Sequence, residues 1–152
     1  LELGTLVAET LAEVVLACTT EGEQAAAAAA PRAVRRARDY LHETFDRKVT
    51  LDALAAHAGL DKYHLVRAFR RAVGLPPYEY LTHIRIARAS SLLTRGVTAC
   101  EVAQIVGLYD ESQLSRHFRR IVGTTPGRYA DATRSRQHHP RRPSDAHASS
   151  SA

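Results

Sequence analysis

The sequence predicts an all-α fold with two helix-turn-helix units in tandem, and three features of the chain support that prediction. Apolar residues recur every three or four positions, which is the spacing of one face of a helix. One block of sequence occurs twice, with the same residue types at matching places. Each copy is also bounded by residues that begin and end helices, Thr or Asp before a helix and Gly after it.

The length and composition of the chain limit the number of domains and the residue types available for the core. A chain of 152 residues has room for one domain of ordinary size and some appendages. Hydrophobic residues make up 45% of the chain and aromatic residues only 6%. The core therefore has to consist mainly of Leu, Val, Ile and Ala, a mixture that favours helices.

The charge is unevenly distributed along the chain. The net charge is +5, but residues 1–30 carry five acidic side chains and neither Lys nor Arg, so the remainder carries +10. Lys48 and Lys62 are the only lysines among 21 basic residues. Guanidinium groups form paired hydrogen bonds with phosphates and base edges, so this balance points to nucleic acid. A merely solubilising arginine surface is the alternative.

Residues 1–30 predict an amphipathic helix followed by an Ala-rich linker. The segment has acidic residues and no basic start, which argues against a secretion signal, and we expect no membrane span. We interpret it as the end of a sensor or dimerisation region, with a helix packed on the rest of the chain as the alternative. Its apolar stripe consists of Leu3, Leu6, Val7, Leu11, Val14, Val15 and Cys18.

The two cysteines, Cys18 and Cys100, lie far apart within apolar helical patterns. Their positions predict buried free thiols rather than a disulfide, which fits a reducing cytoplasm.

After the linker, Pro31 suits the first turn of a new helix. The apolar spacing extends this helix roughly to Phe45 and predicts that it buries Val34, Ala37 and Leu41 together with Phe45.

An internal repeat follows that helix. Residues 49–60 align with residues 97–108 and, after the extra residue Tyr109, residues 61–80 align with residues 110–129. The matching pairs include Asp61 with Asp110, Leu65 with Leu114, Arg67 with Arg116, Phe69 with Phe118 and Tyr80 with Tyr129.

Each copy has the order of a helix-turn-helix unit, a short helix, a tight turn and a longer helix. Thr50 and Thr98 suit the N-caps of the short helices, and Thr98 forms a capping box with Glu101. Asp61 and Asp110 suit the N-caps of the longer helices. The sequence therefore predicts a first unit at residues 50–74 and a second unit at residues 98–123.

Residues 77–95, between the two units, have no helix breaker and predict one linker helix. Its length would be about 28 Å, close to the roughly 34 Å between successive major-groove faces of DNA. Both second helices could then enter the same side of one duplex. Residues 131–152 have no apolar stripe and predict a disordered tail. Along the linker we expect one side to carry Leu81, Ile84, Arg88, Ser91 and Leu92.

The helical period also predicts which side chains of each second helix face outward. In the first unit the core side carries Leu65, Ala68, Phe69 and Ala72, and the outer side carries Tyr63, Arg67 and Arg70. In the second unit the core side carries Leu114, Phe118 and Ile121, and the outer side carries Ser112, Arg116 and Arg119, flanked by Gln113 and Ser115.

Outward arginines at these places suit DNA. Arg67 and Arg116 are our candidates for base reading, because a guanidinium group can donate to both O6 and N7 of guanine. The four candidates for phosphate contacts lie further along the helices and are Arg70, Arg71, Arg119 and Arg120. Ordinary solvated arginines are the alternative.

No pattern in the chain predicts catalysis, a metal or a cofactor. The eight histidines are scattered, without the spacing of a metal site. No glycine-rich phosphate loop precedes a helix. We therefore expect that the protein is not an enzyme.

The segment from Gly107 to Arg120, with the sequence GLYDESQLSRHFRR, and the segment from Gly123 to Tyr129 resemble the DNA-binding domain of the AraC/XylS family of bacterial transcription regulators. The resemblance covers about residues 31–130. It implies a seven-helix domain in which each unit places its second helix in a major groove. It also implies activation of promoters through contact with RNA polymerase, and a separate sensing or dimerising domain upstream.

The resemblance also implies base-reading positions. They are Tyr63, Val66 and Arg67 in the first unit, and Ser112, Gln113, Ser115 and Arg116 in the second. Val66 would recognise little more than a methyl group. The chain departs from the family pattern at Leu108 and Leu114, where aromatic residues are usual, and at Ala130, where Arg is common.

We thus expect a cytoplasmic, nucleoid-associated regulator that binds double-stranded promoter DNA, contacts RNA polymerase and activates transcription. A homodimer could form through the N-terminal helix or a missing upstream domain. One alternative is a helical module that binds nucleic acid non-specifically or binds proteins. Another is the DNA-binding part of a repair enzyme, which would need a reactive cysteine where Cys100 is expected to be buried.

Overall fold

The computed structural model describes residues 29–137, and these residues form seven helices and no strand. The all-α prediction is therefore confirmed. None of these helices is both long enough and apolar enough to span a bilayer. The predicted N-terminal helix and Cys18 lie outside the described residues. The helices are α1 (residues 29–43), α2 (Leu51–Ala58), α3 (Lys62–Val73), α4 (Pro77–Thr94), α5 (Ala99–Ile105), α6 (Glu111–Val122) and α7 (Pro126–Gln137).

The chain divides into two compact units, with the boundary between Ile84 and Arg85 inside α4. The core of the first unit brings together α1, α2, α3 and the start of α4. Phe45, predicted to be buried, is only half-buried and packs against the edge of this core. Its buried members are Ala33, Val34, Ala37, Leu41, Leu54, Ala55, Ala58, Leu65, Phe69, Leu81 and Ile84.

The core of the second unit brings together the end of α4 with α5, α6 and α7. Leu108 and Leu114, which stand where the resemblance would place aromatic residues, are 7% and 0% exposed. The leucines therefore still fill the core. Its other buried members are Ile86, Ala89, Leu93, Val102, Ala103, Val106, Phe118 and Ala130.

The two copies of the repeat make the same aromatic contact. Phe69 and Tyr80 have ring centroids 5.4 Å apart at an interplanar angle of 68°. Phe118 and Tyr129 lie 5.3 Å apart at 69°. Both are edge-to-face pairs, the arrangement that the quadrupoles of the rings favour. The alignment of the repeat thus corresponds to an equivalent contact inside each unit.

The linker between the units is one helix, as predicted, but it has no continuous buried side. Leu81 and Ile84 belong to the core of the first unit, but further along Arg88 and Ser91 are exposed and Leu92 is only half-buried. The later half buries Ile86, Ala89 and Leu93 in the second core instead. Because each half serves a different core, no single stripe extends through the helix.

Two further predictions about burial were wrong. Ala72 is exposed although it lies near the core side of α3. Cys100 is also exposed, as a free cysteine near the start of α5, where Val102 and Ala103 provide the buried side. The apolar stripe of a helix covers only part of its circumference, so a residue beside the stripe can face solvent.

The last helix continues beyond the predicted start of the disordered tail at residue 131. Residues 131–137 are helical, and residues 138–152 lie outside the described residues. Polar contacts within the helix replace the missing apolar stripe. The hydroxyl of Thr133 donates to the carbonyl of Tyr129 at 2.9 Å, and Arg134 lies 3.5 Å from the carboxylate of Asp131.

We predict that Phe118→Ala lowers the free energy of unfolding by about 3–5 kcal/mol, because it leaves a cavity beside Tyr129 in a closed core. Chemical denaturation followed by circular dichroism measures the change. Val122→Ala is the matched control, since Val122 lies on the same helix and is 37% exposed; we expect about 0.5 kcal/mol or less. Equal losses in the two variants would contradict this assignment of the core.

Candidate nucleic-acid interface

The turn of the first unit is held by side-chain caps at both helix starts. Thr50 accepts a hydrogen bond from the backbone N–H of Ala53 at 3.2 Å, and Asp61 accepts one from His64 at 3.0 Å. Between them Gly59 adopts a left-handed conformation (φ +74°), which ends α2 and favours glycine. These caps are the ones that the sequence predicts.

Charged groups also link the two helices of the first unit. The ammonium group of Lys62 lies 2.8 Å from the carboxylate of Asp52, and this contact raises the pKa of Lys62. Asp61 also contacts the ring nitrogen Nδ1 of His64. The pKa of Asp61 is lowered, first by the backbone hydrogen bond from His64 and then by the His64 side chain. His64 is therefore exposed to solvent and also paired with the cap residue Asp61.

The helices of the second unit also begin at side-chain caps, and an extra hydrogen bond joins the turn to α6. Thr98 and Glu101 form the predicted capping box, and their hydrogen bonds lower the pKa of Glu101. Asp110 accepts from the backbone N–H of Gln113 at 2.7 Å. In addition, the side-chain oxygen of Gln113 accepts from the backbone N–H of Tyr109 at 2.8 Å. This last bond ties the turn to the first turn of α6.

The outer side of α6 forms an open, arginine-rich groove. The three side chains predicted to face outward, Ser112, Arg116 and Arg119, all line it, whereas Gln113 is half-buried and is not among the lining residues. Three guanidinium groups within three turns of helix give the surface a positive potential, which suits a phosphate backbone. The lining residues are Glu111, Ser112, Ser115, Arg116, Arg119 and Arg120.

The outer side of α3 combines an aromatic ring with arginines. Tyr63 is 67% exposed, and the guanidinium carbon of Arg67 lies 5.5 Å from the centre of its ring. A cation over the face of a ring is attracted by the ring's electron density, so Tyr63 holds Arg67 on this side. Arg70 and Arg71 are exposed, and Val66 is half-buried.

Two residues beside the candidate site were not singled out as site residues from the sequence. Tyr109, the extra residue in the second copy of the repeat, is 91% exposed at the turn. Arg85 is only 8% exposed, yet its charge acts on His117 of α6. The insertion of Tyr109 was the one sequence feature that could have drawn attention to this turn, because it marks where the two copies of the repeat differ.

His117 lies half-buried on α6 between the core and the arginines. Burial lowers its pKa from the ordinary value of 6.5, and the charges of Arg120, Arg116 and Arg85 lower it further. The imidazole is therefore neutral at pH 7. The positive charge of this face therefore comes from its arginines and not from His117.

Residues 29–137 contain no group of three or more His, Cys, Asp or Glu side chains that could hold a metal ion. Cys100 is exposed, so the buried position assumed when a repair enzyme was considered was wrong. Whether the protein is an enzyme therefore has to be judged from the proteins to which it is similar.

Residues 54–132, just over half of the chain, match a family model described as a helix-turn-helix domain. The solved DNA-binding domain of AdpA, a global transcriptional factor in complex with a target DNA, superposes with a TM-score of 0.65 at 30% identity. That match covers 68% of this chain and 95% of the AdpA domain. The chain belongs to the AraC/XylS family of DNA-binding transcription regulators. These regulators are not enzymes.

Two curated relatives are similar over the same part of the chain. An AraC-like transcription regulator of Streptomyces lividans is 39% identical over 90 residues, which cover 59% of this chain and 30% of that protein. The transcriptional activator AarP of Providencia stuartii is 31% identical over 83 residues, which cover 54% of this chain and 62% of AarP. The match thus spans less than two thirds of either relative.

We predict that the free energy of unfolding decreases as the pH falls below about 6.5, because the unfolded chain then binds a proton that folded His117 resists. Urea unfolding between pH 7.5 and 5.5 measures this dependence. Asp61 and Glu101 have lowered pKa values, so their contribution is lost only as the pH falls below their ordinary values of 3.8 and 4.5.

His117→Gln tests the assignment, since glutamine is polar but does not titrate. We expect a flatter pH dependence between pH 6.5 and 5.5, and a constant difference from the wild type above pH 7.5. Parallel curves for the two proteins over the whole range would contradict a role for His117.

Proposed function

We propose that this chain binds specific promoter DNA by placing α3 and α6 in two successive segments of the major groove, and that it activates transcription there. The observation that carries the proposal is the pair of capped helices with exposed arginines at matching places, Arg67 and Arg116. An α-helix fits the major groove, where each base pair presents a distinct set of donors and acceptors.

In this proposal the early turns of each helix read bases. Arg67 and Arg116 donate hydrogen bonds to guanine. The hydroxyl groups of Ser112 and Ser115 form hydrogen bonds with neighbouring base edges. The exposed ring of Tyr63 supports Arg67 and can contact a thymine methyl. The remaining proposed base-reading residues are the half-buried Val66 and Gln113.

The later turns would contact phosphates. The last turn of α3 carries Arg70 and Arg71, and the last turn of α6 carries Arg119 and Arg120 at the matching positions. All four are exposed. Phosphate contacts position the helices and supply affinity that decreases with salt, without reading sequence.

The wider activity would involve partners other than DNA. We propose contact with RNA polymerase, a homodimer formed through the N-terminal region or an upstream domain, and a nucleoid-associated location in the cytoplasm. AarP is described as an activator, which favours activation over repression for this chain. Residues 1–30 would then belong to the sensing or dimerising part, and residues 31–130 to the DNA-binding domain.

A helical module that binds nucleic acid without choosing sequence is the second candidate, since the arginine-rich groove of α6 would serve it equally well. Selection of bound duplexes from a random pool, followed by sequencing, separates the two. Two enriched blocks about one helical turn apart would support tandem reading. A pool without enrichment at moderate salt would support the non-specific module.

We predict different effects for two arginines of α6. Arg116→Ala should relax base preference at one position, at a cost of about 1–3 kcal/mol for the preferred sequence. Arg120→Ala should weaken binding to all sequences alike and reduce the slope of log affinity against log salt by about one. Binding titrations of the two variants on specific and scrambled duplexes at several salt concentrations make the comparison. Identical sequence profiles for both variants would contradict the assigned roles.

A further inference from the structure

We propose that Tyr109 is a further DNA-binding residue, which packs its ring on the sugar–phosphate backbone beside the segment read by α6 and donates a hydrogen bond from its hydroxyl group to a phosphate. This inference rests on the proposed function, because it assumes that α6 enters a major groove. It adds a neutral contact, made by the turn before α6, to the arginine contacts already assigned.

The ring of Tyr109 contributes little to the fold. Among the large hydrophobic residues of the described part of the chain it is the most exposed, at 91%. It directly precedes Asp110, the N-cap of α6. A hydrophobic residue at that place often packs against the fourth residue of the helix, which here is Leu114. A ring so fully exposed does not make this contact, and Leu114 is buried without it.

The first copy of the repeat folds without an equivalent of Tyr109. Its turn carries Leu60 directly before the cap residue Asp61, and Leu60 is half-buried against the first core. In the second copy Leu108 has this role and is 7% exposed. Tyr109 is thus an additional residue that the turn places outside the core, where its ring is available to a partner.

In the proposed complex, the turn between α5 and α6 leads from the DNA backbone into the groove. In helix-turn-helix proteins the first helix crosses the backbone, and the N-terminal residues of the second helix contact base edges. Tyr109 is not among the residues that line the arginine-rich groove of α6, which begin with Glu111. It therefore stands at the rim, beside the sugar–phosphate strand, and not over the bases.

The phenol group matches this backbone in two ways. Its ring offers an apolar surface to deoxyribose, and its hydroxyl group can donate to a phosphate oxygen. Among residues 29–137 this hydroxyl group has no hydrogen-bond partner. The backbone N–H of Tyr109 is bonded to the side-chain oxygen of Gln113 at 2.8 Å, which holds the backbone that carries the ring. The hydroxyl group is therefore the donor that Tyr109 has left.

The charges near Tyr109 determine how its contact depends on salt. Asp110 and Glu111 follow it directly, and the arginines of α6 begin only at Arg116. The carboxylate of Glu111 opposes a phosphate, whereas that of Asp110 accepts from the backbone N–H of Gln113. A neutral hydroxyl group adds affinity without neutralising a phosphate, so it releases no counterion. The contact should therefore leave the salt dependence of binding unchanged.

The test uses the full chain and the duplex enriched from the random pool. Tyr109→Phe removes only the hydroxyl group and should weaken binding by roughly tenfold. The loss should be the same for the enriched duplex and for its single-base-pair variants, and the slope of log affinity against log salt should equal that of the wild type. Tyr109→Ala also removes the ring and should weaken binding further.

Tyr78→Phe is the matched control, because Tyr78 is 61% exposed on α4 and lies outside the proposed DNA-binding surface. It should bind each duplex as the wild type does. Both Tyr109 variants should unfold at the same denaturant concentration as the wild type, because the ring is exposed to solvent. A loss of binding would then not come from a loss of folding.

Methylphosphonate linkages, placed one at a time beside the block assigned to α6, locate the contact. Each linkage removes the charge and one acceptor oxygen of a single phosphate. At one linkage the wild type should lose affinity and Tyr109→Phe should lose clearly less, because the hydrogen bond is already missing. Linkages that face Arg119 or Arg120 should weaken both proteins equally.

Wild-type affinity in Tyr109→Phe would overturn the inference and leave the proposed function intact. If promoter activation were lost in the same variant, Tyr109 would contact a protein instead of DNA. A loss confined to one base pair would also overturn the inference, because Tyr109 would then read a base. If the wild type enriches no duplex at all, the proposed function fails and this inference fails with it.

Discussion

One buried phenylalanine beneath each of the two arginine-bearing helices, α3 and α6, is the constraint on which the candidate site depends. Phe69 and Phe118 are both fully buried, and each packs edge to face on a tyrosine of the next helix. Because successive residues of a helix are about 100° apart, an inward phenylalanine turns the residue two positions earlier outward. Those residues are Arg67 and Arg116. A rotated helix would bring an unpaired guanidinium group into the core, which is strongly unfavourable.

Short helices depend on their ends, and here the start of α6 lies beside the proposed DNA-binding surface. Asp110 and Gln113 hold the start of α6, while Ser112 and Arg116 project from the same turns. The same turns of α6 thus carry both the helix cap and side chains of the proposed DNA-binding surface.

The sequence alone was enough for features that depend on local chemistry. Thr50 and Asp61 could be assigned as caps because a cap needs a short oxygen acceptor at a single position. The outward side of each longer helix followed from the helical period, and the repeat supported both assignments. Ala72 and Cys100 were assigned wrongly. A period gives the direction in which a side chain points, but not whether another helix covers that direction.

The sequence by itself thus determined the all-α fold, the helix starts and the exposed arginines, because each depends on residues within one or two helical turns. The tertiary structure decided how far the cores extend, since burial at Ile86 or exposure at Cys100 depends on helices distant in the chain. It also decided the orientation of the Gln113 amide, which depends on where the turn places the N–H of Tyr109. The cap residues mark where the turn lies, but the position of this N–H relative to Gln113 also depends on how the two helices pack.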